Sequence, residues 1–501
     1  MKFFNTSGPI KPEKHYFVPL STRLNEQELR ELIEQEKYFI LHAPRQTGKT
    51  STMINFAKQL NEEGKFTALY INIEGAQAAR GDFLKGMSII LEELYSWSTI
   101  LLNPSNHIFA CVDHERKNIS GSSLKNVLQA WSLASSKPII LFIDEIDSLV
   151  GDTLISVLRQ LRAGYPNRPS GFPQAVCLIG VRDVRDYLIW SEENQKMVLG
   201  GSAFNIKSKS LRLADFTAAE VKDLYLQHTA ATGQKFDEDA INLAFELTQG
   251  QPWLVNALAY EACFEMVTDR SQPITKEILE SAKETLIKRR DTHLDVLVDR
   301  LQEKRVRDII DAIITGIDTS CNFPSDDIQY VLDLGLVARR DKDLVIANPI
   351  YQEVLPRELT YSTQLTMPQQ QLWYVNPDGS INMHKMLEEF SQFYRENSAM
   401  WLERFAYKES GPHLFIMAFL QRIINGGGKI HREYALGTDR VDLLITWKTQ
   451  RIVIEIKVWR NEKKTFIKGL EQTAGYMDTS NATEGHLVIF DKRDISWDEK
   501  I

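Results

Sequence analysis

The sequence predicts a multidomain α/β protein, and three observations carry that expectation. At 501 residues the chain exceeds what a single hydrophobic core can serve. An apolar, β-compatible run, Tyr38-Phe39-Ile40-Leu41, gives way to a loop bearing glycine and lysine and then to a helix-like stretch through Leu60. A second, fully apolar run, Ile139-Ile140-Leu141-Phe142-Ile143, ends in Asp144-Glu145 and reads as a buried parallel strand.

Composition fits a soluble globular chain, with 43% hydrophobic and 25% charged residues. The formal charge of -8 excludes a protein that coats nucleic acid through bulk positive charge, so any such contact needs a local patch. Two runs qualify: Lys288, Arg289, Arg290 with Arg300, Lys304, Arg305 and Arg307, and Arg460 with Lys463, Lys464 and Lys468. A solvated helix face accounts for the first run equally well. Cys111, Cys177, Cys263 and Cys321 lie too far apart for a zinc site and are too sparse for a disulfide framework, which predicts reduced thiols. Gly8-Pro9 and Pro12 interrupt the N-terminus before a signal-length apolar segment forms, and no apolar stretch approaches the ~20 residues that span a bilayer. The expected setting is cytoplasmic.

The loop after the first strand is Ala43-Pro44-Arg45-Gln46-Thr47-Gly48-Lys49-Thr50-Ser51. Strand, loop and helix is the context in which backbone N–H groups and a helix N-terminus surround phosphates. These residues are therefore expected to cradle ATP, with Lys49 reaching the β and γ oxygens and Thr50 ligating Mg2+. Ala43 stands where a first glycine is common, which matters only if that position needs a positive φ. The acid pair supplies an independent second signal. Asp144 is assigned to the magnesium shell and Glu145 to polarising the attacking water, the alternative being a capping pair for the next helix. Thr67 to Ile73 reads as another strand, and Ala175 to Val181 as a further one that ends at Arg182-Asp183.

In their order these signals resemble AAA+ ATPases, and within them the STAND and archaeal-ATPase branch, over roughly residues 15 to 360. The resemblance implies a P-loop αβα ATPase domain with a helical lid and a winged helix. It also implies that Arg182 senses the γ-phosphate, an ion pair with Asp183 or Asp186 being the structural alternative. Gly250-Gln251-Pro252, inside Thr248 to Trp253, matches the lid's Gly-x-Pro, so Pro252 is expected to contact nucleotide. The stretch from Ile328 to Val337, followed by Asp341-Lys342-Asp343 and Leu344-Val345-Ile346, looks like a winged helix. Acidic Asp326 and Asp327 favour docking on the ATPase over DNA binding. Homo-oligomerisation follows if a neighbour's arginine completes the site, with Arg159, Arg162 and Arg168 as candidates.

Pro356 to Gly379, rich in Pro, Gln, Thr and Asn, suits a connector. Residues 413 to 424 read as an apolar helix ended by Gly426-Gly427-Gly428, and strands are expected to begin at Ile430, Val441 and Ile452. Asp442 lies on the second strand, and Glu455 and Lys457 share a face of the third because strand side chains alternate. Two carboxylates bind magnesium, and the ammonium can orient water while stabilising phosphate charge. Gln472 and Tyr476 share one face of the following helix. The set Asp442, Glu455, Lys457, Gln472 and Tyr476 resembles the PD-(D/E)XK nuclease superfamily, in its RecB-type branch. That resemblance implies a restriction-endonuclease-like α/β domain in which Gln472 and Tyr476 help hold the site and the DNA backbone. Glu409 and Glu433 are candidates for an additional acid.

The expected domains are the ATPase at 1–210, lid at 211–295, winged helix at 296–360, connector at 361–400 and nuclease-like domain at 401–501. The leading function is an ATP-binding and hydrolysing module that controls a magnesium-dependent DNA nuclease answering to an unidentified activator. An analogy with ATPase–nuclease fusions suggests defence against foreign DNA or DNA metabolism. The alternative is an ATP-dependent switch or scaffold whose last domain binds nucleic acid without cutting.

Overall fold

The structure, a computed structural model, describes residues 2–19, 23–183, 188–191, 196–199, 205, 207–289, 299–314, 323–340, 343–355, 374–404, 416, 419–420, 428–436, 439–459 and 462–491. The chain divides into two compact units. The first holds residues 1–293, 324–338 and 347–349; the second holds 294–323, 339–346 and 350–501.

The first unit is built on a parallel sheet in the order β2-β3-β4-β1-β7, from β1 (Tyr38–His42), β2 (Thr67–Asn72), β3 (Ile139–Asp144), β4 (Ala175–Gly180) and β7 (Lys207–Arg212). A separate antiparallel pair is formed by β5 (Leu188–Ser191) and β6 (Lys196–Leu199). Residues of β1 alternate between two cores. Tyr38 and Ile40 enter one with α3 (Phe83–Leu101), α5 (Ser123–Ala134) and α6 (Gly151–Gly164), while Phe39 and Leu41 enter the other with α1 (Glu26–Glu34) and α2 (Lys49–Glu63). Helices on both faces explain why these strands read as continuous apolar runs. Helix α4 (Ile108–Glu115) packs with α3 and α5.

Helices follow the sheet. A capping box of Thr217 and Glu220 starts α7 (Ala218–Thr232). After α8 (Glu238–Thr248) the chain turns through left-handed Gln249 and Gly250. Pro252 then opens α9 (Pro252–Tyr260), where a missing N–H is harmless and the Gln251 side chain caps Leu254 N–H at 2.6 Å. Helix α10 (Lys276–Arg289) completes the group.

In the expected winged-helix stretch lie α11 (Lys304–Ile314), α12 (Ser325–Asp333), β8 (Val337–Arg340) and β9 (Asp343–Ile346). Helix α12 belongs to the first unit and α11 to the second.

The second unit's sheet has the order β10-β11-β12-β13, from β10 (Lys429–Leu436), β11 (Asp439–Trp447), β12 (Gln450–Val458) and β13 (Glu484–Phe490). The first three strands are antiparallel neighbours, and β13 is parallel to β12 because α14 (Glu462–Ser480) carries the chain back. The sheet's other face packs on α13 (Met383–Arg404) and on Ile416, Phe419 and Leu420. Residues from Tyr374 onward differ from the connector expected at 361–400. Tyr374, Ile381, Met383, Met386 and Phe390 are buried in this core, since the apolar spacing of α13 outweighs the polar composition that precedes it.

Among the described residues no helix is long and apolar enough to cross a membrane. Cys111, Cys177 and Cys263 are free thiols; Cys321 lies outside the described residues.

Candidate nucleotide site and candidate nuclease centre

The loop that follows β1 delivers its backbone to the N-terminus of α2. Its left-handed positions are Gln46 (φ 58°) and Gly48 (φ 90°). Ala43 is not one of them; it is buried, and its N–H donates to the Gly180 carbonyl at 3.2 Å, so a methyl group fits where a glycine is common. Thr47 Oγ1 donates to the Pro44 carbonyl at 2.9 Å, and Arg45 is exposed at the loop tip. Lys49 is buried with its ammonium on two loop carbonyls, Ala43 at 2.8 Å and Pro44 at 2.9 Å. Burial pushes its pKa down, against the pull of Asp144, Glu145 and Asp147. Ser51 Oγ accepts the Ile10 N–H at 2.8 Å, and Trp253 Nε1 donates to the Thr6 carbonyl at 2.8 Å. One N-terminal segment thus touches both the phosphate-loop helix and the start of α9, where Pro252 is buried.

Strand β3 sets Asp144 beside this helix. Its Oδ2 accepts from Thr50 Oγ1 at 2.7 Å and from Tyr70 Oη at 2.6 Å, while Oδ1 accepts the Glu145 N–H at 2.8 Å. Glu145 adopts φ 59°, a conformation uncommon for a residue with a side chain and characteristic of sites under functional constraint. Its side chain makes no cap bond to the short helix that follows, against the capping alternative. Burial, and then Asp147 and Asp144, raise its pKa to about 7. Asp147 accepts the Val181 N–H at 3.1 Å and lies where a Cβ on Gly180 would come within 2.7 Å, so that glycine lets β4 close on the acid cluster.

Arg182 sits just past β4, and among the described residues its ion pair is with Asp333. Its Nε lies 3.5 Å from Asp333 Oδ2, and its guanidinium lies 4.8 Å from the centre of the Tyr330 ring. Asp183 pairs with Lys207, and Asp186 lies outside the described residues. The turn after α12 reaches the phosphate loop as well, since a Cβ on Gly335 would come 2.6 Å from Pro44. Of the candidate finger arginines, Arg168 stacks 3.3 Å over Tyr165 and 5.1 Å over Tyr38, at the end of β1 remote from the loop. Arg159 and Arg162 are exposed on α6. The first basic run is largely ion-paired, through Arg289–Glu261, Arg300–Glu303, Lys304–Asp308 and Arg305–Glu303, as a solvated face would be.

In the second unit, Asp442, Leu444, Val453, Glu455 and Lys457 share the face that α14 covers, because Leu444 and Val453 pack on Tyr476. Asp442 Oδ2 accepts the Ile456 N–H at 2.8 Å, reaching across to β12. Glu455 is buried and ion-paired with Lys457. Burial, and then Asp442, raise its carboxyl pKa, with Lys457 opposing. Glu455 Oε2 and Gln472 Oε1 are buried without a hydrogen-bond partner among the described residues. Tyr476 is a packing residue, 8% exposed. The pairs Arg432–Leu443 and Tyr434–Val441 place Glu433 across from Asp442 in the strand register; Glu409 lies outside the described residues.

Tyr70 and Asp333 escape a motif reading. Tyr70 and Asp333 lie within apolar or helical patterns that explain them without a site. Asp147 is legible as part of the Asp144-Glu145-Ile146-Asp147 acid cluster, and only the fold shows that it holds the Val181 N–H.

Residues 6–357 match a family model described as an AAA-like domain, and residues 382–494 match one described as Domain of unknown function (DUF8371). No curated protein matches the chain by sequence. Similar solved structures include the Walker-type ATPase of Pyrococcus abyssi (18% identity, 70% of this chain and 99% of that one, TM-score 0.49). Two more are the ORC2 protein of Aeropyrum pernix (14%, 69% and 96%, TM-score 0.41) and the RuvB Holliday junction branch migration motor of Thermotoga maritima (12%, 68% and 98%, TM-score 0.35). With the family match spanning well over half of its length, and a phosphate loop and acid strand set in a parallel sheet, the chain belongs to the AAA-like family of P-loop ATPases.

Proposed function

We propose that the chain is an ATP-dependent switch that controls a magnesium-dependent DNA nuclease. At the first site, the hydroxyl of Thr50 and the carboxylate of Asp144 form a hard-oxygen pair suited to Mg2+. Lys49 binds phosphate, Arg182 reads its presence, and Pro252 belongs to the lid that follows nucleotide. Glu145 takes a proton from water, a role its raised pKa suits near neutrality. Magnesium would supply charge neutralisation between the phosphates.

The observation that carries the nuclease reading is the convergence of Asp442, Glu455 and Lys457 on one sheet face, under the helix bearing Gln472. The partnerless Glu455 Oε2 is an oxygen available to a divalent cation, with Asp442 beside it. Lys457, half-exposed, orients water and neutralises phosphate. A second reading, binding without cutting, draws on one fact: among the described residues, no three His, Cys, Asp or Glu side chains form a metal-holding group.

The deciding experiment is cleavage of supercoiled, linear and single-stranded DNA with Mg2+, with and without ATP, by wild type, K457A and K49A. Cleavage lost in K457A with ATP hydrolysis intact supports the nuclease. An altered ATP response in K49A supports the coupling. DNA binding without cleavage under every condition selects the second reading.

A further inference from the structure

We propose that Tyr70 is a positioning residue for magnesium-dependent nucleotide binding, acting through Asp144; the proposal rests on the reading of Asp144 as the metal-shell acid. Tyr70 lies on β2, paired with Phe142 two residues before that acid, and is fully buried. Its Oη donates to Asp144 Oδ2 at 2.6 Å, the same oxygen that receives Thr50 Oγ1 at 2.7 Å. The remaining oxygen, Oδ1, is held by the Glu145 N–H. Three donors therefore fix the rotation of one carboxylate, and two of them, the Tyr70 hydroxyl and the Glu145 N–H, lie outside the phosphate loop.

That division matters chemically. On binding a cation Thr50 would turn a lone pair outward, a change that falls on the same hydroxyl that donates to Asp144. The Tyr70 bond is independent of that change and keeps Oδ2 in place in both conditions. The ring that carries it cannot easily swing. Tyr70 and Trp97 meet edge to face, with centroids 4.7 Å apart and planes at 75°, in the packed layer that also holds Met53 and Phe56 of α2. A buried carboxylate that loses one charge-assisted hydrogen bond is less well oriented.

The test is Y70F, which keeps the ring and its packing, measured by binding of a fluorescent ATP analogue in EDTA and across a Mg2+ titration. Affinity in EDTA stays within about twofold of wild type, while the Mg2+ concentration that gives half of the metal-dependent gain rises about tenfold, as loss of one hydrogen bond to a charged group predicts. A Mg2+ response unchanged in Y70F overturns the proposal. An equal loss of affinity with and without Mg2+ also overturns it, by showing a structural role only. A wild type without any Mg2+-dependent gain removes the site reading itself, and D144N, expected to abolish the gain, separates that failure from the failure of Tyr70.

Discussion

Arg182 and Asp333, 151 residues apart in the chain, meet at 3.5 Å with side chains only 11% and 2% exposed. The pair ties the strand end beside the acid cluster to the end of α12, and Gly335, two residues on, packs on Pro44 of the phosphate loop. Removing one partner of a largely buried pair takes away the opposite charge that the other faces. D333A should therefore lose about 3 kcal/mol of stability, and R182A with D333A should lose less than the sum of the two single changes. Urea unfolding of the four proteins measures both; strict additivity would mean the two groups do not interact.

Glu145 carries a pH signature. Burial and its acidic neighbours raise its carboxyl from 4.5 to about 7, so the folded chain binds this proton more tightly than the unfolded one. The contribution favours folding below pH 4.5 and is lost as the pH rises through about 7. E145Q lacks that loss. In EDTA at about pH 8 it should exceed wild type by on the order of 2 kcal/mol, while near pH 4.5 the two should coincide. The same variant should retain nucleotide binding and lose turnover about a hundredfold or more.

Gly250 has φ 78°, and an added Cβ would stand 1.8 Å from the Phe216 carbonyl oxygen, whose own N–H donates to Gly250 O at 2.8 Å. G250A must break that contact and strain the turn into α9. A loss of about 3 kcal/mol or more in thermal or urea unfolding is expected, and a neutral outcome would mean the turn relaxes freely.

In the second unit, burial and then Asp442 disfavour the ionised form of Glu455, with Lys457 opposing them. A divalent cation offsets both terms. Added Ca2+ should raise the melting temperature of wild type and leave that of D442N unchanged. Equal shifts in the two proteins would place the cation elsewhere.

The chain's strong signals were local ones. Strand, loop and helix around Lys49, the apolar run ending at Asp144, and the strands of Asp442 and Glu455 are legible because each is written in consecutive residues. Partnerships across the chain are not. Nothing near Arg182 points to Asp333, and Tyr70 reads as one more apolar strand residue until the β2–β3 register brings it to the acid. The extent of the C-terminal core escaped for a related reason: Tyr374 and Ile381 sit in a polar stretch and are buried in a core, with Trp447, that lies far along the chain.

The lysine of the phosphate loop has a last implication. With Nζ resting on the Ala43 and Pro44 carbonyls, the loop supplies its own counter-ligand for the charge that phosphate would otherwise meet. An arriving nucleotide exchanges one set of oxygens for another and does not rescue an unsatisfied ammonium. What this lysine can contribute to binding is therefore the difference between two sets of oxygens, smaller than an ammonium with no partner would give.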